Sequence, residues 1–160
     1  MDGWACRAYA LSVEIGFDTT GNATLIIYDR QPLLATDPWI EGSAYFGSWT
    51  LAHPIPEEQR EAILACPYIW LSHGHPDHLS LPSLELLKGK KILLPDHHGG
   101  RIFAELKDQG HDVHVMRDGV WEQLSDRVKV VCVSDYNQDA ILCADVNGRF
   151  IVNLNDATDR

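Results

Sequence analysis

Tyr68-Ile69-Trp70-Leu71-Ser72-His73-Gly74-His75-Pro76-Asp77-His78-Leu79-Ser80 is the stretch that decides the fold. The first four residues are apolar and read as a buried strand, and the polar run behind them reads as the loop leaving its end. A strand end is a rigid platform, so a loop leaving it can turn several side chains to one point. His73 and His75 are two apart, and in an extended stretch such residues project to the same side. That suits two ligands on one ion. Pro76 bends the chain and lets Asp77 and His78 meet a second point nearby. Neutral imidazole and carboxylate are ligands for zinc, iron or manganese. One histidine in a polar turn would mean little; three imidazoles and a carboxylate behind a buried strand read as a metal loop.

Working outward, the upstream chain reads as a β-meander: strands at Tyr9–Phe17, Ala23–Tyr28 and Pro32–Thr36, with turns at 18–22 and 29–31. Residues 37–54 form a long irregular stretch carrying Trp39, Tyr45, Phe46 and Trp49. A loop so long and aromatic inside a compact domain is usually functional. Pro56-Glu57-Glu58 opens a helix that runs to about Ala65, with proline early and acids in the first turn. Downstream, 81–87 and 101–109 read as helices ended by Gly89 and Gly110. Strands are expected at 91–94, 113–116, 119–123, 127–134, 140–145 and 150–154, with a hairpin at Val146-Asn147-Gly148 because Asn-Gly readily takes positive φ. The order is β-rich, then βαβαβ, then β-rich. That is an α/β pattern with mixed sheets and helices covering one face.

The chain has 160 residues, 45% hydrophobic and 22% charged, which is the size and make-up of one globular domain. Lys and Arg number 13 against 23 Asp and Glu, for a net charge of −10. That balance argues against a sequence-independent grip on nucleic acid or a basic hold on an anionic membrane. No apolar run approaches the ~18 residues needed to span a bilayer, and Met1-Asp2-Gly3-Trp4 has no signal-peptide character. Cys6, Cys66, Cys132 and Cys143 form no C-x-x-C pair. The last three sit in apolar surroundings and read as core residues of a reduced, cytoplasmic protein.

The His73-x-His75-x-Asp77-His78 run resembles the metal-binding motif of the metallo-β-lactamase fold superfamily. Thr36-Asp37-Pro38 resembles the motif whose aspartate orients the metal loop from behind the ligands. Asn153-Leu154-Asn155-Asp156 resembles the motif whose aspartate bridges two metals. Order and spacing agree over about residues 10–157. Residues 69–87 are similar to the branch that contains the ascorbate-6-phosphate lactonase and the N-acylphosphatidylethanolamine phospholipase D. Residues 37–42 with His53-Pro54 look closer still to the metal domain of the CMP-N-acetylneuraminate hydroxylases. The resemblance implies a metallo-β-lactamase-like αββα sandwich with mixed sheets, of which mainly the N-terminal half is present. Residues 1–160 would then be a single domain forming part of a longer fold, or one completed by another subunit. It implies metal ligands at His73, His75, Asp77, His78 and Asp156, catalytic work for Asp77 and Asp156, and an orienting role for Asp37.

The superfamily pattern also breaks. It usually supplies a further histidine upstream of the bridging aspartate and another near the C-terminal end, yet no histidine follows His114. Asp135 closes an apolar strand at the first of these places and either replaces the ligand or is a hairpin-turn aspartate. With His73, His75 and Asp135 on one ion, the set suits Fe(II) as well as Zn(II). Mn(II) is a further candidate. The second site would lack one ligand and bind more weakly. Trp39, His53 and His98 are candidates for contact with substrate; Trp39, with Tyr45, Phe46 and Trp49, could wall the site or cover a sheet edge. His111 and His114 read as surface residues. A missing second half would leave one inner sheet face unburied, and exposed apolar surface invites association of copies.

These readings lead to a metal-dependent hydrolase working through one or two ions, zinc first. A metal-activated water would attack an anionic small molecule: a lactone, a phosphodiester or a nucleotide sugar. Two alternatives stay open. One is an iron-dependent oxygenase component, although the chain has no Rieske Cys/His pattern. The other is a metal-binding protein without catalysis.

Overall fold

A computed structural model describes residues 14–135 and 138–157. The start of the expected Tyr9–Phe17 strand, Cys6 and the Met1–Trp4 terminus lie outside the described residues. Strands β1 (Ile15–Thr20), β2 (Thr24–Asp29) and β3 (Gln31–Thr36) form the expected meander, and helix α1 (Glu57–Ala65) leads to β4 (Tyr68–Trp70). Helix α2 (Leu81–Leu86), β5 (Lys91–Pro95), α3 (Arg101–Asp108) and β6 (Asp112–Met116) complete the first unit. Then follow β7 (Glu122–Gln123), β8 (Val128–Ser134), β9 (Ala140–Val146) and β10 (Arg149–Asn153).

The first six strands form one mixed sheet in the order β1-β2-β3-β4-β5-β6, antiparallel at first and parallel from β3 onward. Parallel neighbours need crossovers, and α1, α2 and α3 supply them. The last four strands form an antiparallel sheet in the order β10-β9-β8-β7.

Alternation along the strands builds two cores. Leu25, Ile27, Leu34, Trp70 and Leu93 face the second sheet, where Val128, Val130, Cys132, Leu142 and Ala144 meet them. Ile26, Ala35, Ile69, Ile92 and Leu94 face the other way and pack against Ile63, Leu84 and Leu106 of the three helices. Both faces of the first sheet are therefore covered, which explains the near-continuous apolar runs of β4 and β5.

The helices end as their residues dictate. Glu57 and Glu58 occupy the first turn of α1, where acids favour the positive end of the helix. Ser80 caps α2, accepting from the Ser83 amide at 3.4 Å. Gly110, at φ 84°, closes the connection after α3.

Some expectations shift. The strand β1 runs on through Thr20, which pairs with Thr24, so the turn is confined to 21–23. The strand expected at 119–123 shrinks to β7, because residues 117–120 make a turn in which Val120 N–H donates to Arg117 O at 3.1 Å. The inner sheet faces bury each other, so neither is left open. The apolar face left to solvent is instead the outer one of the second sheet, where Phe150, Val152 and Val133 are exposed. Among the described residues all three helices lie on the first sheet. His111 is buried, not superficial.

Candidate metal centre

The site lies where the parallel strands end and the second sheet closes over them. Asp37 follows β3, with its amide donating to Trp70 O at 2.8 Å and its carbonyl accepting from Thr24 Oγ1 at 3.1 Å. Its side chain is fully buried. Oδ1 accepts from the Ser72 amide at 2.7 Å, and Oδ2 from Ser72 Oγ at 2.7 Å. His78 Nδ1 stands 3.0 Å from Oδ2. A buried carboxylate is tolerable only with such partners. Asp37 thus fixes both the start of the metal loop and the ring of His78, leaving His78 Nε2 turned to the site. A carboxylate behind an imidazole is the usual means of orienting a ligand histidine.

The loop itself is tightly wound: the amides of His78 and Leu79 both donate to His75 O, at 3.0 and 2.7 Å. Gly74 lies close to α3: a Cβ there would be 3.0 Å from Ile102 Cδ1, so that side chain would have to give.

The ligand atoms converge in two groups. His73 Nε2 and His75 Nδ1 are 2.8 Å apart, and Asp156 Oδ2 is 3.6 Å from His73 Nε2. Ligand atoms of His73, His75 and Asp156 all lie within 4.8 Å of one another. On the other side, His78 Nε2 is 3.4 Å from the same Asp156 Oδ2 and 3.6 Å from Asp77 Oδ2. Asp156 therefore stands between the two groups. The chain leading to it is anchored by Asn153, whose Nδ2 donates to Thr36 Oγ1 at 2.9 Å and whose Oδ1 accepts from the Asn155 amide at 3.2 Å.

The donor chemistry fits a divalent cation. Burial and the neighbouring charge of His78 lower the pKa of His73, which favours the neutral ring that a metal ligand needs, although Asp139 and Asp37 pull the other way. Two imidazole nitrogens facing each other at this distance must share a proton or a cation. For His78 burial opposes the charge, but the bond to Asp37 and the charges of Asp37, Asp156 and Asp77 outweigh it and raise the pKa.

Asp77 is held from outside by two neutral donors, Tyr45 OH on Oδ1 at 2.8 Å and Asn22 Nδ2 on Oδ2 at 3.0 Å. Tyr45 belongs to a turn whose three residues are all left-handed: Tyr45 at φ 48°, Phe46 at 58° and Gly47 at 89°. For the two aromatic residues this costs on the order of 1–3 kcal/mol each. The aromatic loop is anchored at its start on α2, where Ser83 Oγ accepts from the Ile40 and Glu41 amides at 2.9 and 3.1 Å.

The structure places the remaining candidates as follows. The carboxylate that reaches His73 Nδ1 from the β8–β9 turn is that of Asp139, at 3.2 Å. Asp135 Oδ1 instead accepts from the Asp139 amide at 3.1 Å, which is the hairpin-turn reading. His98 is exposed, whereas its neighbour His97 is buried with Nε2 3.1 Å from Ser72 O. Trp39 is buried and donates to Gly42 O at 3.3 Å, so it shapes the loop. His53 is exposed and shares with Trp39 and Trp49 a 690 Å³ cleft beside Asn22. A second cleft of 710 Å³ runs between residues 19–25 and 151–156 and reaches His78. Sequence reasoning missed Asp139, His97 and Asn22. Position gave a hint for His97 alone, just past the end of β5 and beside the metal loop.

No family model matches the sequence. The architecture matches two solved structures. One, from Parabacteroides distasonis, is described as a "putative metal-dependent hydrolase"; it superposes with a TM-score of 0.57 at 15% identity, over 89% of this chain and 60% of the other. The second is the isothiocyanate hydrolase from Delia radicum gut bacteria, with a TM-score of 0.56 at 18% identity, over 82% and 57%. With these neighbours, two packed sheets and a His-x-His-x-Asp-His loop at their seam, the chain has a metallo-β-lactamase-like fold. Within that fold it is a distant homologue of the cytidine monophosphate-N-acetylneuraminic acid hydroxylases. It is 29% identical over 131 residues to the Danio rerio protein, covering 76% of this chain and 22% of that one. It is 28% identical over 155 residues to the Gorilla gorilla gorilla protein, covering 91% and 26%. The Homo sapiens relative, named as inactive, is also 28% identical over 155 residues, covering 91% and 30%. The chain thus spans less than a third of the curated relatives it matches.

Proposed function

We propose that the chain is a hydrolase that works through a metal-activated water. The observation that carries this is Asp156 Oδ2, 3.6 Å from His73 Nε2 and 3.4 Å from His78 Nε2, between two sets of ligand atoms. His73, His75 and Asp156 would hold one cation, and His78, Asp77 and Asp156 a second. When bound, such a cation polarises a scissile carbonyl or phosphoryl group and lowers the pKa of water toward ~7. Zinc suits this donor set, as do iron and manganese. Asp77 accepts the proton released at its free lone pairs. Asp37 keeps the His78 ring in place through the cycle. The substrate enters by the clefts on either side of the Asn22 turn.

We take it to be an anionic small molecule: a lactone, a phosphodiester or, as the relatives' name supports, a nucleotide sugar. The same proposal has no nucleic acid and no bilayer at the site. It places the chain in the cytoplasm with Cys66, Cys132 and Cys143 as free thiols. A second copy or a further stretch of chain would cover the outer apolar face.

Plasma mass spectrometry tests the reading: the purified chain should carry zinc, iron or manganese, and His75→Ala should lose it. Unchanged metal content in that variant would sink the idea. A phosphodiesterase and lactonase screen of the loaded chain then assigns the reaction, and uptake without turnover would mark a binding protein. A second reading, an iron-dependent oxygenase component, draws on the kinship to hydroxylases and on a set of two histidines with carboxylates. Iron content with oxygen consumption, in the presence of a separate Rieske partner, would select it.

A further inference from the structure

We propose that Tyr45 is a positioning residue for Asp77 and that the left-handed turn 45–47 serves to deliver it; the proposal rests on the metal-centre reading above. Two consecutive aromatic residues at φ 48° and 58° are sterically disfavoured. Such a turn persists only when its surroundings enforce it. The enforcement is present. Ala44, itself buried, bridges Trp49 across the turn, with its amide donating to Trp49 O at 3.0 Å. Ser48 donates twice to Tyr45 O, from Oγ at 2.7 Å and from its amide at 3.2 Å. The Tyr45 ring packs edge-on against Trp49 at 4.8 Å between centroids.

What this rigid turn achieves differs for its two aromatic side chains. Phe46 is fully exposed and gains no burial. Tyr45 reaches 2.8 Å from Asp77 Oδ1 and sits 6.4 Å, ring to ring, from His75. The strained backbone is therefore matched by contacts of Tyr45.

With Asn22 Nδ2 on the other oxygen at 3.0 Å, each oxygen of Asp77 is held by one neutral donor. A carboxylate oxygen has two lone pairs, so each keeps one for an ion or a proton. The pair fixes the plane of the carboxylate without neutralising it. Removing one donor frees the carboxylate to rotate away from His78, and the group of ligand atoms most affected is the one containing Asp77. Tyr45 acts on the second ion through Asp77, not on the reaction directly.

Titration of the metal-free 160-residue chain with Co²⁺ against a competing chelator tests this, with the visible cobalt spectrum as the readout. Tyr45→Phe should weaken the second ion by about 10- to 100-fold, the usual effect of removing a partner behind a ligand. The first ion should change by less than about twofold, since His73 and His75 do not touch Tyr45 by hydrogen bond. Asn22→Ala should act in the same direction. Phe46→Ala, in the same turn, should leave both ions unchanged. Equal weakening of both ions, no weakening, or a matching effect of Phe46→Ala would overturn the proposal while leaving the metal centre standing. A wild-type chain that binds one ion only would also overturn it. A wild-type chain that binds no ion would sink the metal-centre reading itself.

Discussion

At the scale of single residues, the site is organised by carboxylates that serve histidines. Asp37 is the clearest case, because one buried side chain meets the Ser72 amide, the Ser72 hydroxyl and the His78 ring. The raised pKa of His78 makes that arrangement testable without metal. A base whose folded pKa lies above its unfolded value stabilises the fold fully below the unfolded value, about 6.5 for histidine. It loses that contribution as pH rises through the higher folded value. In chelator-treated protein, the stability gap between wild type and His78→Gln should therefore be largest below about pH 6.5 and shrink as pH rises. Urea unfolding across that range measures it, and a gap that widens with pH would contradict the Asp37–His78 pairing. Single residues were also where the sequence was hardest to read. Asp37, His73, His75, His78 and Asp156 stood out because they belong to spaced motifs. Asp139 and Asn22 did not, because what brings them to the site is a turn in each case. Whether Asp135 or Asp139 reaches His73 depends on how the β8–β9 hairpin twists, which no local pattern encodes. The choice of His97 over His98 depends likewise on which side the chain leaves β5.

At the scale of elements the sequence was far more legible. In β9 buried and half-buried residues alternate, whereas the apolar blocks of β2 and β4 reflect strands covered on both sides. The errors fall at ends, where pairing rather than composition decides: β1 continues to Thr20 because Thr24 is opposite, and β7 is cut short by the 117–120 turn. The β9–β10 hairpin follows its Asn-Gly signal, with Asn147 at φ 54° and Gly148 at φ 82°. The Gly148 amide also donates to Asp145 Oδ1 at 2.7 Å. A Cβ at Gly148 meets nothing within 4 Å, so any penalty for Gly148→Ala is conformational, not steric crowding. It should cost about 1 kcal/mol or more, because alanine is disfavoured at positive φ. Equilibrium urea unfolding would show a lower midpoint with an unchanged slope. This hairpin matters to the site, since β10 ends at Asn153 and the chain then reaches Asp156.

At the scale of the whole molecule, the centre is assembled from both sheets. His73, His75, Asp77 and His78 leave the first, while Asp139 and Asp156 come from turns of the second. The layers are also linked by apolar packing, the Asn153–Thr36 bond, the contacts of Arg127 and Ser125 with Asp29, and the pairing of His114 on β6 with Glu122 on β7 at 2.8 Å. A ligand shared by two layers binds only when they are docked, and a ligand that binds only the folded state stabilises it by mass action. At a free concentration 100 times the dissociation constant, the gain is about 2.7 kcal/mol. Calorimetric scans at increasing zinc should therefore show a melting temperature that climbs with the logarithm of free metal, and Asp156→Ala should flatten the climb. The consequence would reach past catalysis: with the proposed ions bound, the seam would make the sandwich a thermodynamic gauge of its surroundings, its integrity rising and falling with metal activity.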